Sequence, residues 1–212
     1  MFYFEQLIAS TLKSKKVKKA LQDFEDTVNS FAQSERLEDI KSREFSDKAG
    51  YSQSALFHYF KKFDDIFSYI FLVRARKANL SMGEMINKHP ADAPLSVLLE
   101  MVVKRSIKEL NVPPRKALLF VLKKVLKNTE NLQLINISAD AVIPVWMAAA
   151  NRDKTNTIFK FNEQELRLRV RALQAVIRSP FFEDSAMAGT SEHSEIAYSL
   201  AMNIFSAPVV VD

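Results

Sequence analysis

Residues 49–60 read AGYSQSALFHYF, and they hold one of only three glycines in a chain of 212 residues, between two stretches with a helical pattern. Two short helices joined by a tight turn need one residue with positive φ. Glycine adopts that conformation without the steric cost other residues carry. Ala49-Gly50-Tyr51-Ser52 therefore reads as the turn of a helix-turn-helix arrangement. Ala49 is small enough for the two helices to approach, Phe45, Tyr51 and Leu56 supply apolar anchors, and Ser52 suits the N-cap of the second helix. The pattern alone fits a DNA-reading unit and an ordinary αα-corner equally well.

Working outward, Val17, Leu21, Phe24, Val28 and Phe31 recur at spacings of four and three, which predicts a helix over 15–31. Short helices follow over 41–48 and 52–60, and a long one over about 64–80, with Asp64 and Asp65 at its positive end. Residues 1–12 carry enough apolar positions for a short preceding helix. The stretch NKHPADAP, 87–94, reads as a linker, and Pro94 suits the first position of a helix reaching about 110. Further helices are predicted over 115–127, over 138–152 with a kink or boundary at Pro144, over 163–178 and over about 192–205, with SPFFEDSAMAGTS read as a loop. The expectation is an all-α chain of about nine helices, with an N-terminal module over 1–63 and a larger helical body over 64–212.

The composition narrows the function. With no cysteine there is no disulfide, thiolate metal site or cysteine nucleophile. Gly50, Gly83 and Gly189 are too far apart for a P-loop or a dinucleotide fingerprint. His58, His89 and His193 lack metal-ligand spacing, and neither GxSxG nor HExxH occurs. These absences argue against an enzyme. The N-terminus runs apolar before basic, the reverse of a secretory signal, and no apolar run approaches the roughly 20 residues of a membrane span. A soluble cytoplasmic protein is expected. A net charge of +5 is compatible with an anionic partner.

The stretch 41–66, KSREFSDKAGYSQSALFHYFKKFDDI, resembles the DNA-binding region of the TetR family of bacterial transcriptional regulators. Ala49, Gly50, Ser52, Leu56 and Phe60 match that family's pattern, and Ile66 matches in type. Several positions depart from it. Lys41 stands where a capping Thr is usual, Phe45 and Ser46 replace Ile-Ala, and Tyr51 replaces Val. Phe57 replaces a Tyr whose hydroxyl commonly reaches a phosphate, Tyr59 replaces His, and Phe63 occupies the slot of a phosphate-gripping Lys.

The resemblance implies a helix-turn-helix DNA-binding domain followed by a helical ligand-binding and dimerisation domain. It implies a homodimer that represses transcription at a palindromic operator of double-stranded DNA and is released by a small, hydrophobic effector. No cofactor, metal or membrane partner is implied. Residues 53–59 become the recognition helix, with Gln53, Ser54, His58 and Tyr59 as exposed readers; Gln suits adenine, and Ser suits several base edges. Lys41, Ser42, Arg43, Ser52, Phe57, Lys61 and Lys62 complete the DNA-facing set. Arg43 reads either as a guanine-binding fork or as a solvated charge. The five lysines of LKSKKVKK, 12–19, read either as phosphate contacts or as a solvated helix end. Leu173, Ile177, Ile196, Leu200 and Ile204 fit a dimer interface and fit a monomer core equally. Met82, Met85, Met101, Phe120, Trp146 and Met147 suit either an effector cavity or ordinary core. The competing reading is the same fold without DNA binding, serving as a ligand-binding or protein-interaction module; Phe57, Phe63 and the uncharged recognition helix favour it.

Overall fold

The computed structural model describes residues 14–33, 40–111, 115–127, 132–158 and 160–206, and every regular element among them is a helix. In chain order these are α1 Lys15–Gln33, α2 Ser42–Ala49, α3 Gln53–Tyr59, α4 Asp65–Lys88, α5 Leu95–Asn111, α6 Arg115–Lys127, α7 Leu132–Asp140, α8 Ile143–Arg152, α9 Glu163–Phe182 and α10 Ser191–Ser206. The short helix expected over 1–12 lies outside the described residues. The chain divides into two compact units, Met1–Arg74 with Pro113–Leu132, and Ala75–Val112 with Gln133–Asp212.

The first unit is built on aromatic rings. The predicted stripe of α1 buries Leu21, Phe24, Val28 and Phe31. Phe24 is the hub, with ring centroids 6.0 Å from Phe45, 5.0 Å from Tyr51, 6.0 Å from Tyr59 and 6.0 Å from Phe60. From Phe45 the rings continue to Phe63 at 5.4 Å, on to Phe67 at 5.5 Å and to Phe120 of α6 at 5.1 Å. Tilted and edge-on pairs of this kind contribute about 0.5–1.5 kcal/mol each beyond their buried area. Helix α6 packs against α1. Arg74 on α4 reaches back to α1, donating to Glu25 at 2.7 Å and to Asn29 at 2.8 Å.

In the second unit α5 packs on α10 and α9, and α9 packs on α10 and α8. Leu95, Leu98 and Val102, three and four residues apart, are buried, joined by Leu99, Val103 and Ile107. Phe205 stacks on Trp146 at 6.0 Å and meets the edge of Phe161 at 6.1 Å, while the Arg169 guanidinium lies 3.9 Å over the Phe161 ring and donates to the Ile204 carbonyl.

Three elements differ from the sequence pattern. Helix α4 does not stop near residue 80 but runs to Lys88. Ile86 is fully buried, and Arg152 donates to the closing carbonyls of Ile86, Asn87 and His89 at 2.6, 3.0 and 3.3 Å, which caps the end electrostatically. The segment near Pro144 divides into two helices, as the proline suggested, but the boundary falls before it, at residues 141–142, which puts the proline in the first turn of α8, where its missing N–H costs nothing. Helix α9 continues through Pro180 to Phe182, because Phe181 is completely buried and the Ser185 N–H closes onto the Pro180 carbonyl at 3.0 Å.

Among the described residues one stretch, Gln133–Arg152, has the length and hydropathy to cross a bilayer. It is not a single helix. Asp140, just before the break, pairs with Arg167 at 3.2 Å and Arg171 at 2.7 Å, and Ile143 and Trp146 are buried within the unit.

Candidate nucleic-acid interface

Gly50 has φ 76° and ψ 27°, the left-handed conformation the sequence pattern called for. Its N–H bonds to the Asp47 carbonyl at 3.2 Å and the next N–H, of Tyr51, bonds to the Ser46 carbonyl at 2.9 Å. Those two bonds are a Schellman closure of α2, which satisfies two of the carbonyls a helix end leaves without partners. Two residues later Ser52 takes extended backbone geometry and its hydroxyl accepts from the Ala55 N–H at 3.1 Å, the N-cap of α3. One helix is thus closed and the next opened within four residues.

The turn is then fastened to the core. Phe45 and Leu56 are fully buried on its two flanks. The Tyr51 hydroxyl donates to Asp23 Oδ2 at 2.7 Å. Partial burial, aided by the Asp23 carboxylate, pushes the phenol up to about 12. Tyr51 therefore brings a polar bond as well as the apolar anchor its ring suggested. Ser46, where the family pattern has alanine, is buried and donates to the Ser42 carbonyl at 2.8 Å, so its hydroxyl is satisfied.

What remains outward is the predicted reading set. Ser52, Gln53, Ser54, Phe57 and His58 are exposed, as are Lys41, Arg43, Lys61 and Lys62; Ser42 and Tyr59 are half-buried. Helix α3 carries neither lysine nor arginine. The cations stand before it, on α2 and its approach, and after it. Gln53 Nε2 donates to the Ser42 hydroxyl at 3.1 Å, a link across the turn that no local pattern indicates. The Tyr59 ring lies edge-on to Phe24, so much of it belongs to the core. Of the lysines in the 12–19 stretch, Lys15, Lys16, Lys18 and Lys19 are described and all four are exposed.

No protein-family model and no curated protein matches the sequence. Solved structures do. A protein from Mesorhizobium loti MAFF303099 described as a TetR-family transcriptional regulator superposes with a TM-score of 0.61 at 12% identity, over 92% of this chain and 100% of its own. The TetR-family transcriptional regulator PfmR from Thermus thermophilus gives 0.55 at 17% identity, over 86% of this chain and 96% of its own. The fold is that of the TetR-family regulators. The multidrug binding protein EbrR, solved with imidazole, is similar too, with a TM-score of 0.58 at 15% identity over 91% of this chain and 98% of its own.

Within the TetR fold two further departures noted in the sequence take these places. Lys41 sits at the N-cap of α2 in extended geometry and makes no side-chain cap bond. Phe63, half-buried, is an aromatic link between Phe45 and Phe67, so an apolar ring contact occupies the slot of a phosphate-gripping lysine.

The remaining predicted residues fall as follows. Leu173 and Ile177 are buried among this chain's own side chains, Ile204 is half-buried, and Ile196 and Leu200 are each 42% exposed. Leu168 on α9, absent from the predicted set, is 61% exposed. Met82 and Trp146 are buried, Met85 and Met147 half-buried, and Met101 is 46% exposed, all in the second unit; Phe120 packs in the first, on Phe67. No cluster of three or more potential metal ligands occurs among the described residues.

Proposed function

We propose that the protein is a TetR-family member, a dimeric, ligand-responsive transcriptional repressor that reads a palindromic operator through the module of residues 1–63 and acts in the cytoplasm. The observation that carries this reading is the closure at Gly50 followed by the Ser52 cap, which turns Gln53, Ser54, Phe57 and His58 outward between two groups of exposed cations. Arg43 is suited to a guanine edge and Gln53 to adenine. Lys41, Lys61 and Lys62 supply salt-dependent attraction to phosphate.

One such module spans only a few base pairs, and pairing two of them about 34–36 Å apart doubles the site read. We assign the dimer contact to the outer faces of α9 and α10, around Leu168, Ile196 and Leu200. These are large apolar side chains left exposed on two neighbouring helices. A hydrophobic effector is assigned to the second unit. Gly83 of α4 lies beside Val145 of α8 there, and Met82, Met85, Trp146 and Met147 flank that approach in the sequence. Effector binding favours the state of the dimer that does not fit DNA.

The second reading, a TetR fold that does not bind DNA, is favoured by the absence of lysine and arginine from α3 and by the exposed Phe57 ring. Mobility-shift assays on fragmented genomic DNA with excess nonspecific competitor separate the two. The repressor reading expects retained fragments sharing one palindrome. Retention of none selects the second reading.

A further inference from the structure

Helix α3 turns Gln53, Phe57, Ser54 and His58 through one arc of about 140°, and all four are exposed. Phe57 lies within that arc, between Gln53 and Ser54; the residue is 44% exposed, with no ring contact among the described residues. Leu56, on the other side of the helix, is completely buried. Among the described residues of the module, Phe57 thus puts an exposed phenyl ring with no ring partner on the face where the DNA-binding reading puts base edges.

The major groove has one apolar feature, the C5-methyl group of thymine. Beside Phe57, Gln53 already gives one amide N–H to Ser42 at 3.1 Å. Its carbonyl and second N–H stay open, and those are the groups that pair with the adenine edge. Exposed Lys41, Arg43, Lys61 and Lys62 around the helix favour a polyanion over an apolar protein groove as the occupant.

We propose that Phe57 is a specificity-determining residue whose ring covers the C5-methyl group of a thymine, making an A·T-containing subsite the centre of each half-site. The inference rests on the DNA-binding function above and adds what the helix reads.

The test uses the full chain and duplexes enriched by it from a randomised library. Each enriched duplex is resynthesised with deoxyuridine in place of thymidine, one position at a time, and binding is followed by fluorescence anisotropy. One symmetry-related pair of positions should weaken binding about fourfold per half-site, the effect of one buried methyl group at about 0.8 kcal/mol. Phe57→Ala should bind the thymidine and deoxyuridine duplexes equally. Gln53→Ala should bind less tightly yet keep the difference between them. Tolerance of deoxyuridine at every position, or a Phe57→Ala protein that still discriminates, overturns the inference while leaving DNA binding intact. Failure to enrich any duplex overturns the DNA-binding reading itself, and this inference with it.

Discussion

The Tyr51 hydroxyl donates to Asp23 Oδ2 across 2.7 Å, binding the helix-turn-helix to a helix 28 residues earlier in the chain. Tyr51→Phe keeps the ring against Phe24, at 5.0 Å, and removes only the hydrogen bond. Bonds to charged acceptors contribute about 1.5–3 kcal/mol when shielded. At this part-exposed site the variant should be destabilised by about 1 kcal/mol in urea unfolding. Burial, with the carboxylate adding to it, raises the phenol from 10.0 to about 12 in the folded protein, so the neutral form is the one folding favours. That stabilisation is fully present below pH 10 and disappears as pH rises towards 12. The stability difference between wild type and Tyr51→Phe should shrink over that window, and phenolate absorbance should report the late titration.

Gly50 and Gly189 both have positive φ, 76° and 82°, but their surroundings differ. A Cβ on Gly50 meets nothing within 4 Å, so Gly50→Ala carries only the cost of the left-handed backbone, about 1–2 kcal/mol. Gly50→Asn should cost less, since Asn tolerates that conformation. A Cβ on Gly189 would fall 2.5 Å from Asn111 Cγ. Gly189→Ala should therefore be the more damaging change, and adding Asn111→Ala should recover the steric part alone. Thermal unfolding of the single and double variants measures both.

The difference between what was legible and what was not follows sequence distance. Gly50 and Ser52 were readable because a left-handed turn and an N-cap are set within four residues. The stripe from Val17 to Phe31 was readable because burial at helical period leaves a regular trace. The Gln53–Ser42 and Tyr51–Asp23 bonds left no such trace, since each depends on how separate helices pack. The end of α4 at Lys88 depends on Arg152, and the passage of α9 through Pro180 depends on the buried Phe181. Leu173 and Ile196 look alike as apolar helical positions, and only packing shows that one faces inward and the other outward.

His193 is buried, and its Nδ1 accepts the Gly189 N–H at 3.1 Å, which a protonated ring is unable to do. Burial lowers its pKa below 6.5, against a smaller opposing pull from the Val176 carbonyl. The unfolded chain therefore takes up a proton that the folded chain resists. Stability should be highest above about pH 6.5 and should fall as pH drops below it. Replacing His193 with Gln should flatten that slope in urea unfolding across mildly acid pH.

Substitutions on α9 and α10 should separate assembly from folding. Leu200→Glu or Ile196→Glu places a charge on an exposed apolar face and should yield a folded monomer by sedimentation velocity. Leu173→Ala, buried within the chain, should instead reduce folding stability by about 2–5 kcal/mol with dimerisation preserved.

Attraction between the exposed cations flanking α3 and phosphate is read from the dependence of DNA affinity on salt. Wild type and the combined Lys41→Ala, Arg43→Ala, Lys61→Ala, Lys62→Ala variant are titrated onto the same enriched duplex across a salt series. Affinity should decline steeply with salt for wild type. The variant's slope should be shallower by about 0.9 for each phosphate that the missing cations no longer neutralise. Identical slopes, or wild-type binding indifferent to salt, would contradict the assignment of these cations to phosphate.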